Sequence, residues 1–361
     1  MTPEKLQGAC MALGKATIST FGMQDPRYVA SPMGFLRMLL AHNWVTNPSN
    51  LAGVQAGKVR NLEVSYYPRG LESEITDVDD CESTPAGQQT FNMGPSMFRK
   101  TGIWLGLEEL QTLCDMAEGN VSIDGAGFPT ELYERMVGRI NVMLESINKA
   151  ILLAQKTKFG VNFNTGSNAP TNLEVSLDKV YLDRGYTKLL ADLEDNLIPN
   201  GYGIVGSGII RNLFLATTMK TGANMDGMDY RLGLGGNFFY DRPSMTAWGE
   251  NQFGAFAPNS VKFIDVPRYV APTLSGLQGT SFFFQLPIPM DFGNGQYTMN
   301  LDAQLKFFDC PTDLGDGNVQ DRGWALMLSK TFGLFTAPTL FKEGDPMHGT
   351  NGTLLYTASA S

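Results

Sequence analysis

Apolar residues recur at helical spacing most clearly over 128–159. Leu132, Met136, Ile140, Met143, Ile147, Ile151 and Ala154 fall three or four apart and form one stripe. The opposite face carries Glu131, Glu134, Arg135, Arg139, Glu145, Lys149 and Lys156, with Glu131–Arg135 and Glu145–Lys149 in the favourable i,i+4 order. Pro129 suits a first helical turn, and Gly160 can end the helix. Such a helix is about 45 Å long and needs an equally long surface to lie on. Gly-rich, β-patterned sequence on both sides makes a sheet the natural partner.

Other stretches are shorter. A helix is predicted over 2–18, and a second opens at Ser31-Pro32 with Leu36, Leu39 and Leu40 on one face. Both read as small helices on loops, without a core of their own. Val59, Leu62, Val64 and Tyr66 predict a strand, and Pro68-Arg69-Gly70 a turn. A run of acids follows (Glu72, Glu74, Asp77, Asp79, Asp80 and Glu82), giving a charged two-stranded loop. An isolated ribbon of two strands is marginal in water, so it should lie on another surface, such as a second subunit. A short amphipathic helix is predicted over 103–118, and another over 183–197 with Leu189, Leu190, Leu193 and Leu197 aligned. Ile204 and Val205 read as a buried strand, and 220–280 as loop-rich.

The C-terminal part alternates. Tyr297, Met299, Leu301, Ala303, Leu305 and Phe307 interleave with Thr298, Asn300, Asp302, Gln304 and Lys306, the pattern of a half-buried strand. Gly293-Asn294-Gly295 should join it to a strand over 282–290, and Asp316-Gly317 to one over 324–335. Pro287 and Pro289 place the first of these at a sheet edge.

Composition narrows the chemistry. The 361 residues carry a net charge of −9, which argues against a basic nucleic-acid-binding face. Cys10, Cys81, Cys114 and Cys310 lie far apart, unlike a zinc or redox pair. Two histidines, His42 and His348, leave little room for a His-based triad or metal site, and no signal peptide or membrane-length apolar run is visible. A P-loop imitation from Gly8 to Lys15 has one residue too many between its glycines. Gly201, Gly203 and Gly206 match GxGxxG, with Asp226 twenty residues on, but a helix precedes them and Ile204-Val205 read as the strand itself. Asp309, Asp313, Asp316, Asn318 and Asp321 lack calcium-loop spacing. No catalytic residue, metal ligand or cofactor is predicted.

In the order of its parts, the chain resembles the major capsid proteins of tailed bacteriophages, with the Hong Kong 97-type shell fold. The block Gly249-Glu-Asn-Gln-Phe-Gly-Ala-Phe-Ala-Pro258, followed by Val261-Lys-Phe-Ile264, is similar to a stretch in several of them. The resemblance implies an α+β fold: an N-terminal arm (1–55), an extended E-loop (56–102), a P-domain with its spine helix (103–169), an A-domain (170–285) and returning P-domain strands (286–361). It implies a non-enzymatic shell subunit, found in the virion and assembled in the host cytoplasm into pentamers and hexamers around double-stranded DNA. A separate scaffolding protein, a portal at one vertex and a decoration protein are the implied partners. The charged, helical scaffolding segment of many relatives is not seen ahead of the arm, so a separate scaffold or a processed N-terminus is expected. Lys58, Arg60 and Arg69 should meet acids of a neighbouring subunit, and Glu72, Glu74, Asp77, Asp79 and Asp80 its bases. An encapsulin-like nanocompartment shares the fold, and a nucleotide-dependent oxidoreductase using Gly201 to Gly206 is the rival from another class.

Overall fold

The computed structural model describes residues 33–55, 60–69, 89–106, 110–112, 115, 130–174, 179–199, 201–212, 230–232, 236–267, 281–289, 298–308, 312–313, 319–320, 323–341 and 343–359. The helix predicted over 2–18, the acids from Glu72 to Glu82, all four cysteines and the P-loop imitation lie outside them. So do Asp309, Asp316, Asn318 and Asp321.

The described elements begin with helix α1 (Gly34–Ala41), strand β1 (Val45–Thr46), helix α2 (Leu51–Gln55), strands β2 (Asn61–Tyr66), β3 (Gln89–Pro95) and β4 (Met97–Leu105), and helix α3 (Thr130–Lys156). Then come β5 (Thr171–Glu174), α4 (Lys179–Asp195), β6 (Gly203–Gly206), β7 (Tyr230–Leu232), β8 (Gly236–Tyr240), α5 (Ser244–Ala247), β9 (Gln252–Phe256) and β10 (Val261–Val266). The chain closes with β11 (Ser281–Pro289), β12 (Thr298–Phe308), β13 (Thr312–Asp313), β14 (Val319–Gln320), β15 (Gly323–Thr336) and β16 (Thr353–Ser359). The class is α+β. Two compact units divide it. The described part of the first comes from Met97–Ile147 and Val266–Thr331; the second comprises Pro32–Ser96, Asn148–Asp265 and Phe332–Ser361.

In the first unit, β12 pairs antiparallel with β11 and with β15, and β4 also pairs β15. Leu286 faces Leu301, and Ala303 faces Leu328, so apolar side chains meet across the ladder. Among the described strands β11 lies at the sheet edge, the position that suits Pro287 and Pro289. From α3 this unit buries Met136, Val137, Ile140, Met143, Leu144 and Ile147. Arg99 Nε donates to Ser146 Oγ at 2.8 Å, tying β4 to the helix. The helix predicted to start at 103 is corrected here: Ile103, Trp104 and Leu105 finish β4, and helical turns appear at 110–112. Three consecutive buried apolar residues fit either element, and pairing with β15 decides it.

The second unit holds a mixed sheet in the order β5-β16-β9-β6-β8-β7. It is covered on both faces. On one, Leu189 and Leu193 of α4 join Ile204, Phe238, Phe253, Leu354 and Tyr356 in a single cluster. On the other, Phe256 packs against Phe35 of α1 at 5.1 Å, Phe159 at 5.9 Å and Trp248 at 6.1 Å. Strands β7, β8, β9 and β10 fall within 220–280, where the glycines predict loop-rich chain. They are short, and Phe253 to Ala257 are all buried, so no alternation marks them. Residues 286–361 are not one sheet either: β12 and β15 pair in the first, while β16 pairs β9 and β5 in the second.

Two helix ends depart from expectation. α4 stops at Asp195, and Leu197 takes φ +54 beyond it. The Ile198 and Leu197 amides close back on Leu193 and Glu194, a Schellman closure that leaves Leu197 exposed instead of aligned with Leu193. α1 is not peripheral. Phe35, Leu36, Met38 and Leu39 are buried, and its Gly34 lies so close to Tyr240 that a Cβ would meet that carbonyl oxygen at 2.5 Å.

Candidate functional site

The ribbon of β2 and β3 is the feature the sequence singled out for assembly. The two strands pair antiparallel, with Val64 opposite Phe91. Its root is not a loose excursion. Leu62 and Val64 are buried, Leu62 lies over Gly333, and Tyr66 and Phe91 approach the Phe335 ring at 5.8 and 6.4 Å. The surface that an isolated ribbon requires is therefore supplied, at the root, by the chain's own β15. Ser49 and Asn50 add to this: the Ser49 amide donates to Glu63 O at 2.7 Å, and Asn50 Nδ2 to Asn61 O at 2.9 Å.

Of the predicted contact residues, two are described. Arg60 is exposed just before β2, and its carbonyl accepts from Ser96 N at 3.1 Å. Arg69 is exposed too, but is tied to its own chain: its amide donates to Leu340 O at 2.8 Å, and its guanidinium sits 5.9 Å from the Phe341 ring centre. Lys58, Glu72, Glu74, Asp77, Asp79 and Asp80 lie outside the described residues.

Sequence reasoning missed a polar centre at the N-terminus of α1. That helix starts after Met33 with no side-chain cap of its own. Asp241, at the end of β8, supplies one: Phe35 N donates to Asp241 Oδ2 at 2.8 Å. Asn148 Nδ2 of α3 donates to the same oxygen at 2.9 Å, while its Oδ1 accepts from Leu36 N at 3.0 Å. Ser244 N, opening α5, donates to Asp241 Oδ1 at 2.9 Å. Four segments thus meet on one carboxylate, two of them helix N-termini with unpaired amides. Burial pushes the Asp241 carboxyl up to about 6, against the pull of these three donors. The group is fully enclosed and its acceptors are committed, which makes it a structural lock with no route for a substrate. The signal in the sequence was faint. Asn141, Asn148 and Gln155 recur every seven residues along α3, and all are buried. Gln155 completes the pattern, accepting from Thr336 Oγ1 at 2.7 Å and donating to Thr353 Oγ1 at 3.4 Å.

The glycine motif has a packing role. Gly203 and Gly206 lie within β6, hydrogen-bonded to β8 and β9 on its two sides. Met38 of α1 occupies the space where a Gly203 side chain would stand, so no phosphate cradle opens there. His42 stacks on Trp44 at 4.8 Å, and burial holds its imidazole below the ordinary value. Among the described residues no group of three His, Cys, Asp or Glu side chains is placed to hold a metal ion. No described helix is long and apolar enough to cross a membrane.

No protein-family model matches the chain, and no curated protein matches it. Solved structures do. The chain is similar to one titled cyanophage A-1(L) capsid asymmetric unit, at 12% identity, covering 92% of this chain and 94% of that one, with a TM-score of 0.48. It is similar to one from Mycobacterium phage Che8, at 10% identity over 94% and 96% of the two chains, TM-score 0.42. A virus-like particle from Pyrococcus furiosus matches at 9% identity over 90% and 96%, TM-score 0.39.

Proposed function

We propose that this chain is the major capsid protein of a tailed bacteriophage, a non-enzymatic shell subunit of the Hong Kong 97 type. The observation that carries the reading is the succession of parts. A two-stranded ribbon precedes a 27-residue helix, a mixed sheet with its own helices follows, and an antiparallel set of long strands returns at the end. This succession supports reading the parts as E-loop, spine helix, A-domain and returning P-domain strands. The anchored root of the ribbon supports its role as a projecting arm, because a rigid base lets a polar tip be aimed at a neighbour.

Copies of the chain form the pentamers and hexamers of a shell around double-stranded DNA. A net charge of −9 limits adhesion of the wall to that DNA. Scaffolding, portal and decoration proteins are the further partners, and the virion is the place of action. Lys58, Arg60 and the acids Glu72, Glu74, Asp77, Asp79 and Asp80 form the contact set. Arg69, held on Phe341, takes part from a fixed position.

The test removes only the tip. Residues 71–82 are replaced by a short Gly-Ser turn, which keeps Arg69 and the buried root. The expected result is an unchanged melting temperature with loss of closed particles by light scattering and electron microscopy. Closed particles of normal size from the deletion variant would overturn the contact assignment, and wild-type protein that stays monomeric with its scaffold would overturn the shell reading. Nucleic acid inside the particles separates a phage head from a protein-filled compartment.

A further inference from the structure

Within the second unit, a cavity of about 270 Å³ opens beside the C-terminal end of α3. Lys158, Asn168 and Asn351 contribute polar groups to its wall, and Phe91, Phe159 and Pro338 contribute apolar ones. Lys158 is half-buried, and loss of water holds its ammonium below the ordinary lysine value. Among the described residues no acid offsets that cost. Asn351 is committed: its Nδ2 donates to Lys158 O at 2.9 Å, and its Oδ1 accepts from Thr353 N and Oγ1. Asn168 is exposed, and its side chain has no partner among the described residues. The cavity thus offers one cation and one amide donor beside a largely apolar wall.

A partly desolvated cation favours an anionic partner, since pairing offsets the hydration it has lost. The cavity is smaller than the roughly 300–1,000 Å³ of a drug-sized site. A single cation matches a single negative charge better than a phosphate dianion. The apolar part of the wall, from Phe91, Phe159, Val161, Ala337 and Pro338, favours a few methylene groups behind that charge. We propose that this cavity binds a carboxylate on a short apolar stem, with Lys158 as its counter-ion and Asn168 as a hydrogen-bond donor. The carboxylate comes either from an acidic side chain of a second copy of the chain or from a free small acid. The first source is plentiful, since the chain has 36 acidic against 27 basic residues. The inference does not depend on the shell reading, which is tested by particle formation.

Trace acetylation of the full-length protein, read by mass spectrometry at constant ionic strength, tests it. Millimolar butyrate should lower labelling of Lys158 several-fold relative to exposed Lys149, and neutral butyramide should not. The same protection on raising protein concentration without butyrate assigns the carboxylate to a second copy. Protection by butyrate alone assigns it to a free acid. A butyrate-dependent rise in melting temperature should vanish in Lys158→Met. The proposal is overturned if butyrate leaves Lys158 labelling unchanged at every protein concentration, or if butyrate and butyramide protect it equally.

Discussion

Strands β12 (TMNLDAQLKFF) and β9 (QFGAF) differ both in residue types and in what surrounds them. β12 alternates in residue type: Met299, Leu301, Ala303 and Leu305 are buried on one side, while on the other Asn300 is exposed, Gln304 and Lys306 are half-buried and Asp302 alone is buried. β9 does not. Phe253 stacks on Tyr356 at 5.3 Å on one side of the sheet, and Phe256 reaches Phe35, Phe159 and Trp248 on the other. A strand with one polar, partly exposed face records its geometry in its own sequence. One buried on both faces records only that it is apolar, and its partners must be found elsewhere in the chain. The same contrast holds along α3. Its exposed residues, Arg135, Arg139, Lys149 and Lys156, read as a solvent face, whereas its buried amides read as nothing until their partners are known.

The comparison can be broken by substitution. Phe256→Ala removes a ring that three others enclose, and should cost about 3–5 kcal/mol in urea unfolding. A loss below about 1 kcal/mol would mean that the second face of the sheet is loosely packed. Asp241→Asn tests the polar lock through its pH dependence. The native carboxyl is raised to about 6, so between the unfolded value near 4 and about 6 the folded state binds more protons than the unfolded state. Stability from this group is therefore present at the acid end and declines as pH rises through that window. The total change is about 3 kcal/mol for a shift of about two units. Wild type minus Asp241→Asn, measured from pH 4 to 7, should show that decline; parallel curves would place the proton elsewhere. At the small end, Asn300→Lys on the exposed side of β12 should change stability by less than about 0.5 kcal/mol. A larger effect would show that this face is covered.

By itself, the sequence determined the elements whose signal is local. The 3.6-residue stripe located α3, to within two or three residues at each end. Strict alternation located β12, and the prolines of β11 put that strand at an edge. The ribbon was legible as one extended run, Val59 to Tyr66, leading into a charged stretch; its second strand, β3, had no pattern of its own. Tertiary structure decided what depends on distant partners. The cap of α1 comes from Asp241, 206 residues from the amide it accepts. β16 leaves its neighbours in sequence to pair with β9 and β5. Gly203 is glycine because Met38 fills its place, a contact between residues 165 positions apart (203 less 38). Periodicity reports which side of an element faces water. It carries no information on which buried group a carboxylate, an amide or a missing side chain is matched to, because that match is made only when the chain closes.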